Sequence, residues 1–247
     1  MMHSRSFPRS LDSLDAIFAF TAEIFATQQL DQRLIPVVDL TLEELFTNMV
    51  KYGHTSDAAV RLDLTRVPGG VEVTLTDPGV EFFDVTRSAD VDVSLPIEQR
   101  TPGGLGLHLI KKMVDFIEYQ YLEESRTSRI TFRKTAVDRR DPRKVRDKKM
   151  LAIDFGADGK VVMAGRLDAA QCATAQSFLD RVQGPVTLDC TRLEYISSAG
   201  LGVLLKTQKR LMASSGGLKL AGVSRHLRDI FQYSGFDQIF EIEAAAD

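Results

Sequence analysis

The chain has 247 residues, 44% hydrophobic and 26% charged, with 31 Lys and Arg against 34 Asp and Glu for a formal net charge of -3. That length exceeds a usual single domain and fits two domains of about 100 to 150 residues, each able to bury its own core. The charge balance offers no basic excess for nucleic acid or an anionic membrane surface, and no apolar run approaches the roughly 18 residues of a membrane span.

Near the start, Leu11, Leu14, Ile17, Phe18, Ala22 and Phe25 recur at helical spacing. Asp12, Asp15 and Glu23 interrupt this stretch, which excludes a signal-peptide core, so the protein is expected to be cytoplasmic and not membrane-bound. A second helix is predicted from about Asp31 to Tyr52. "AVRLDLTRV" and "GVEVTLTD" then alternate apolar and polar residues around Pro68-Gly69-Gly70, a hairpin signal. A glycine loop running into a helix follows in "TPGGLGLHLIKKMVD", and then a second alternating pair, "FIEYQYLEE" and "SRITFRK". The predicted order of helix, helix, hairpin, irregular segment, helix, hairpin describes an α+β sandwich with helices on one sheet face.

From Thr135 to Lys149 the chain holds seven Lys or Arg and three Asp with almost nothing to bury, and it reads as a charged linker. The predicted division is therefore residues 1–134, linker 135–149 and residues 150–247. Beyond the linker, "MLAIDFG" and "KVVMAG" precede a helix that Asp168 can cap. "PVTLDC", a helix, "LKLAG" and a third helix follow. Strands alternating with helices suggest a mostly parallel or mixed sheet. Cys172 and Cys190 have neither metal-ligand spacing nor a disulfide framework and read as reduced, partly buried thiols.

Three segments carry candidate chemistry in the first half. On the second helix Glu44 and Asn48 lie four residues apart on one face, with Lys51 one turn beyond Asn48. In a nucleotide site the amide oxygen suits Mg²⁺, the ammonium suits phosphate, and the carboxylate suits a proton acceptor; alone, the three read as the polar stripe of an amphipathic helix. Asp77 ends a strand and Gly79 opens a turn where a ligand can lie against the backbone, although Asp-Pro-Gly alone is simply a good turn. Gly103, Gly104 and Gly106 let phosphate approach a helix N-terminus, or form a flexible entry to a core helix.

In this order the three segments resemble the boxes of the Bergerat-fold (GHKL) ATP-binding domain, and specifically the anti-sigma-factor serine kinases, over about residues 8 to 134. The resemblance implies an α/β sandwich with a mixed or antiparallel sheet. It implies Glu44 as general base, Asn48 as Mg²⁺ ligand, and Asp77 as acceptor from the adenine amino group. Lys51, Gly79, Gly103, Gly104, Leu105, Gly106 and, on the closing strand, Thr131 would complete the ATP site, under a lid from about Val80 to Pro102. Where that family often carries a small residue or proline, Glu81 and Phe82 follow the Asp-Pro-Gly turn.

The second half contains "AGRLDAAQC" and "SSAGLG", which resemble the STAS domain of anti-sigma-factor antagonists over about residues 149 to 244. The resemblance implies a mixed sheet with helices on one side. It also implies a phosphorylatable serine at Ser198, with Ser197 the alternative; phosphorylated antagonists commonly carry Asp where Ser197 stands. On their own terms, Ser197 or Ser198 caps the following helix. Together the resemblances imply an ATP- and Mg-dependent serine/threonine kinase fused to its antagonist. Such a protein is expected to be homodimeric, with a sigma factor or other STAS or anti-sigma regulators as partners and no direct nucleic acid. The alternative is a catalytically inactive, nucleotide-responsive scaffold.

Overall fold

The computed structural model describes residues 1–52, 56–82, 84, 105–136 and 150–245. The chain divides into two compact units, one built on each of two five-stranded sheets, and each unit is taken by itself.

The first sheet has the order β1-β2-β3-β5-β4 and is antiparallel throughout, formed by β1 (Met2–Phe7), β2 (Val60–Val67), β3 (Gly70–Asp77), β4 (Phe116–Leu122) and β5 (Thr127–Thr135). Strand alternation sorts its two faces. Leu62, Leu64, Val71, Val73, Leu75, Ile130 and Phe132 are fully buried on one of them. Register brings Leu62 opposite Leu75, and Val73 and Leu75 opposite Phe132 and Ile130. Each such pair removes apolar surface from water at about 25 cal/mol per Å². The predicted turn joins β2 to β3 through Pro68 and Gly69, whose φ of +72° glycine adopts without strain.

Helix α1 (Leu14–Thr27) supplies Ile17, Phe18 and Phe25 to the core and contacts β1 and α2 (Ile35–Tyr52). A short 3-10 turn precedes each helix: Ser10 caps Leu11–Ser13 and Asp31 caps Gln32–Leu34. Helix α3 (Leu105–Met113) follows and buries Leu107, Leu109 and Ile110. Sequence reading began the fold with a helix, whereas β1 precedes it. "MHSRSF" has no apolar alternation and only Phe7 is buried; an edge strand is held by its backbone ladder to β2 rather than by side-chain burial.

The second sheet has the order β10-β9-β8-β7-β6, with β6 (Ala152–Phe155) antiparallel to β7 (Val161–Leu167) and the remaining pairs parallel. The central strand β8 (Val186–Ile196) lies between β7 and β9 (Leu218–Val223), and the short, mostly exposed β10 (Glu241–Ala244) closes one edge. Three helices alternate with these strands: α4 (Cys172–Leu179), α5 (Ser198–Met212) and α6 (Arg225–Tyr233). Asp168 caps the 3-10 turn leading into α4, accepting from the Gln171 N–H at 3.2 Å, as its position predicted. The sheet is mixed, as expected, and its central strand delivers Ser197 and Ser198 to its carboxyl end.

Candidate functional site

Helix α2 carries the first cluster. Its apolar positions Val38, Leu42, Leu45, Phe46 and Met49 are buried, which fixes the rotation of the helix. That rotation leaves Glu44 and Asn48 half-buried on one side, with Lys51 exposed in the last turn. The Asn48 Nδ2 donates to Glu44 Oε1 at 3.3 Å, a one-turn spacing seen in three dimensions. This bond uses the amide nitrogen and turns the amide oxygen, an acceptor, away from Glu44.

Asp77 closes β3 on the same face as Val73 and Leu75 and is 2% exposed. Its partner is a residue the sequence did not suggest. Arg9, in the loop after β1, donates Nη1 to Asp77 Oδ2 at 3.0 Å and Nη2 to Asp77 Oδ1, forming a two-pronged ion pair. The same Nη1 donates to the Met49 carbonyl at 3.1 Å. Carbonyls in the last turn of a helix lack intrahelical donors and carry its negative dipole end, so a guanidinium is well placed there. Arg9 thus ties the end of β3 to α2 at the residue following Asn48. Burial pushes the Asp77 carboxyl above its ordinary range, and the hydrogen bond and charge of Arg9 pull it back only in part. The two partners are 68 positions apart and no short-range pattern links them.

The turn after Asp77 is fixed at several points. Gly79 has φ +73°, and a Cβ there would come within 2.8 Å of Ser56 Oγ, which itself donates to the Pro78 carbonyl at 2.8 Å. The Val80 N–H donates to Arg126 O at 2.8 Å, and Tyr121 Oη donates to Val80 O at 3.0 Å. Phe82 sits edge-on to Tyr119 and Tyr121, at ring-centre distances of 5.9 and 5.6 Å. The expected lid begins within this anchored stretch, and most of it lies outside the described residues, as do Gly103 and Gly104. Leu105 opens α3 half-buried and Gly106 is buried in its first turn.

Thr131 does not join Asp77. Asp77 pairs across the ladder with Ser128, three positions earlier on β5, so alternation places Thr131 on the opposite face. There its hydroxyl lies 3.0 Å from that of Thr74. Ser128, 6% exposed and on the Asp77 face, is the β5 hydroxyl beside the carboxylate.

In the second unit the serine loop resolves into two roles. Ser197 is 2% exposed and is the N-cap of α5: its Oγ accepts from the Gly200 N–H at 3.1 Å and donates to Leu167 O at 3.3 Å. Ser198 is the first helical residue and is half-buried. Gly200 is required by packing, since a Cβ would lie 2.6 Å from Leu167 O. Among the described residues no group of three His, Cys, Asp or Glu could hold a metal ion, and no helix is long and apolar enough to cross a membrane.

The first unit thus pairs helices with an antiparallel sheet whose strand β3 ends in a buried aspartate, and its helix α2 carries a half-buried carboxylate and amide. Residues 7–134, just over half of the chain, match the family described as "Histidine kinase-like ATPase domain", and residues 154–242 match "Mlab, STAS domain". The chain belongs to the histidine kinase-like ATPase family and carries a STAS domain behind that first unit. An ATPase domain of this type implies ATP as the ligand of the first unit.

A protein of Bordetella bronchiseptica, "Putative anti-sigma factor antagonist BtrV", is 44% identical over 72 residues, or 28% of this chain and 62% of the relative, less than two thirds of its length. Among solved structures, the RsbU and RsbW domains of Rv1364c from Mycobacterium tuberculosis overlap at TM-score 0.40 and 13% identity, covering 55% of this chain and 32% of that one. Bacillus SpoIIAA in its phosphorylated form overlaps at TM-score 0.31 and 20% identity, covering 38% and 90%.

Proposed function

We propose that the protein is an ATP-dependent serine kinase of the anti-sigma-factor type fused to an antagonist-type STAS domain, controlling transcription by partner switching. The observation that carries this reading is the Glu44–Asn48 pair, bonded at 3.3 Å on α2 and tied through Arg9 to Asp77, on a chain that also presents Ser198 at the start of α5. The antagonist name of the Bordetella relative, which matches part of the STAS half, supports the same reading.

Asp77, with Ser128 beside it, receives the base. Lys51, exposed at the end of α2, meets phosphate. The Asn48 amide oxygen fits Mg²⁺, a hard cation that takes oxygen ligands, keeps several waters and commonly shares the substrate's phosphates, so it needs no all-protein cage. An ion held by Asn48 would supply positive charge against the triphosphate. Glu44 accepts the proton of a serine hydroxyl as its Oγ bonds to the γ-phosphorus and the bond to the ADP oxygen breaks. Ser198 is the acceptor that geometry favours, because the Ser197 hydroxyl is buried and occupied in capping. A phosphate on Ser198 would sit at the positive end of the α5 dipole and be tolerated by the fold, changing what docks there. The acceptor domain belongs to the same chain, a second copy in a homodimer, or a separate STAS partner.

Intact mass after incubation with Mg-ATP tests this. Wild type is expected to gain one phosphate and Ser198→Ala none. Glu44→Ala alone should gain none, but should gain one when mixed with wild type if transfer passes between chains. Label persisting in Glu44→Ala alone would exclude Glu44 as the base. A second reading, the nucleotide-responsive scaffold, is favoured by Ser197 standing where phosphorylated antagonists commonly carry Asp; tight ATP binding with no phosphoserine on any STAS partner would establish it.

A further inference from the structure

The Arg9–Asp77 pair asks for an explanation that packing alone does not supply. Both side chains are nearly sealed from solvent, with 8% and 3% of their side-chain surface exposed, and taking two charges out of water is costly, offset only by good geometry and further hydrogen bonds. Arg9 spends two N–H groups on the two oxygens of Asp77 and a third bond on the Met49 carbonyl, while its Nε is buried without a partner. A guanidinium does not deprotonate in proteins, and an ionised carboxylate has about four lone-pair sites, of which this fork takes two.

We infer that Arg9 is a positioning residue for the nucleotide base: its fork fixes the plane of Asp77 and keeps it a hydrogen-bond acceptor, so the site selects a base that presents an amino group over one that presents a carbonyl. The inference rests on the reading that Asp77 meets the base. The surroundings of Asp77 make Arg9 necessary to it. Among the described residues the charge acting on Asp77 is that of Arg9; α2 contributes the Met49 carbonyl and β5 contributes Ser128, both uncharged. Burial favours the protonated acid and Arg9 opposes it, so without Arg9 the carboxyl stays protonated to higher pH, and the acid is a donor that meets a base carbonyl as readily as an amino group. Arg9 acts through Asp77 and is assigned no contact with the reacting phosphate.

The test uses the full chain with Mg-ATP and Mg-ITP, which differ at this edge by an amino group against a carbonyl. Dissociation constants are measured from pH 6 to 8.5 for wild type, Arg9→Met and Arg9→Lys. Wild type is expected to prefer ATP by about tenfold or more, with a ratio flat in pH, because a site built to accept from an amino group leaves a polar atom unpaired with the analogue. Arg9→Met should lower ATP affinity about tenfold or more, and its ATP-to-ITP ratio should fall toward one at the acid end and recover as pH rises. Arg9→Lys retains the cation without the fork, so it should bind ATP more weakly than wild type while keeping a flat ratio. If Arg9→Met does not fold, the inference stands or falls on Arg9→Lys: wild-type ATP affinity there overturns the role of the fork. An Arg9→Met protein with the wild-type ratio and no pH slope overturns the inference while leaving the nucleotide site intact. Wild type that binds neither nucleotide overturns the base reading of Asp77 itself, and the inference with it.

Discussion

Replacing Ser197 by alanine removes one oxygen that serves two bonds. The Gly200 N–H loses its acceptor at 3.1 Å in a buried turn, whereas Leu167 O keeps the Ser197 backbone N–H at 3.0 Å and stays satisfied. Loss of a serine cap costs about 0.5 to 2 kcal/mol, and the cost falls at the upper end here because the N–H left without a partner is buried. A cost of about 2 kcal/mol corresponds to a roughly 30-fold rise in the open population. Hydrogen exchange read by mass spectrometry on the peptide spanning residues 197–212 of the intact chain should show α5 exchanging faster by about that factor. Ser198→Ala is the control: it lies inside the first turn, and alanine is the better helix former, so its effect should stay within about 0.5 kcal/mol. Equal acceleration by both substitutions, or none by Ser197→Ala, would refute the division of roles between cap and acceptor.

Asp115 accepts from Thr135 N at 2.7 Å, from Thr135 Oγ1 at 2.6 Å and from Lys134 Nζ at 2.9 Å. Burial pushes its carboxyl up, but these bonds outweigh burial and hold it below the ordinary 3.8. Its folded pKa is therefore depressed, and the stability it contributes is present above about pH 4 and lost as pH falls through the folded value. Urea melts should find Asp115→Asn less stable by no more than about 1 kcal/mol at pH 7, with the gap shrinking as pH falls below 3.8; a gap that does not shrink with falling pH would contradict this. Burial pushes the Cys190 thiol up to about 12, so a thiol reagent at pH 8 should label at most Cys172 in the folded protein and both cysteines in urea.

Elements whose side chains report their own environment were readable from the sequence. Leu62, Leu64, Val73 and Leu75 alternate because one face of a sheet is buried, and Glu44 and Asn48 sit four apart because a helix turns that way. The strands β1 and β10 were not readable, since β1 buries only Phe7 and β10 buries no residue, so neither shows an apolar alternation. Helix α1 begins at Leu14 rather than Leu11 because Ser10 first caps a 3-10 turn. Of the candidate site, the elements were legible one box at a time: helix α2 and the end of β3 form where their residues predicted. Arg9 escaped because its meaning depends on a partner reached only through the fold, and Ser128 because register, rather than composition, sets it opposite Asp77.

The contact of Phe82 with Tyr119 and Tyr121 has a practical side. The chain contains no tryptophan, so its ultraviolet emission is that of its five tyrosines. Phe82→Trp would add a lone indole edge-on to two of them, close enough for energy transfer, just beyond the Asp-Pro-Gly turn that ends β3. The protein thus offers a dark background and a natural mounting point for an optical probe of ligand arrival.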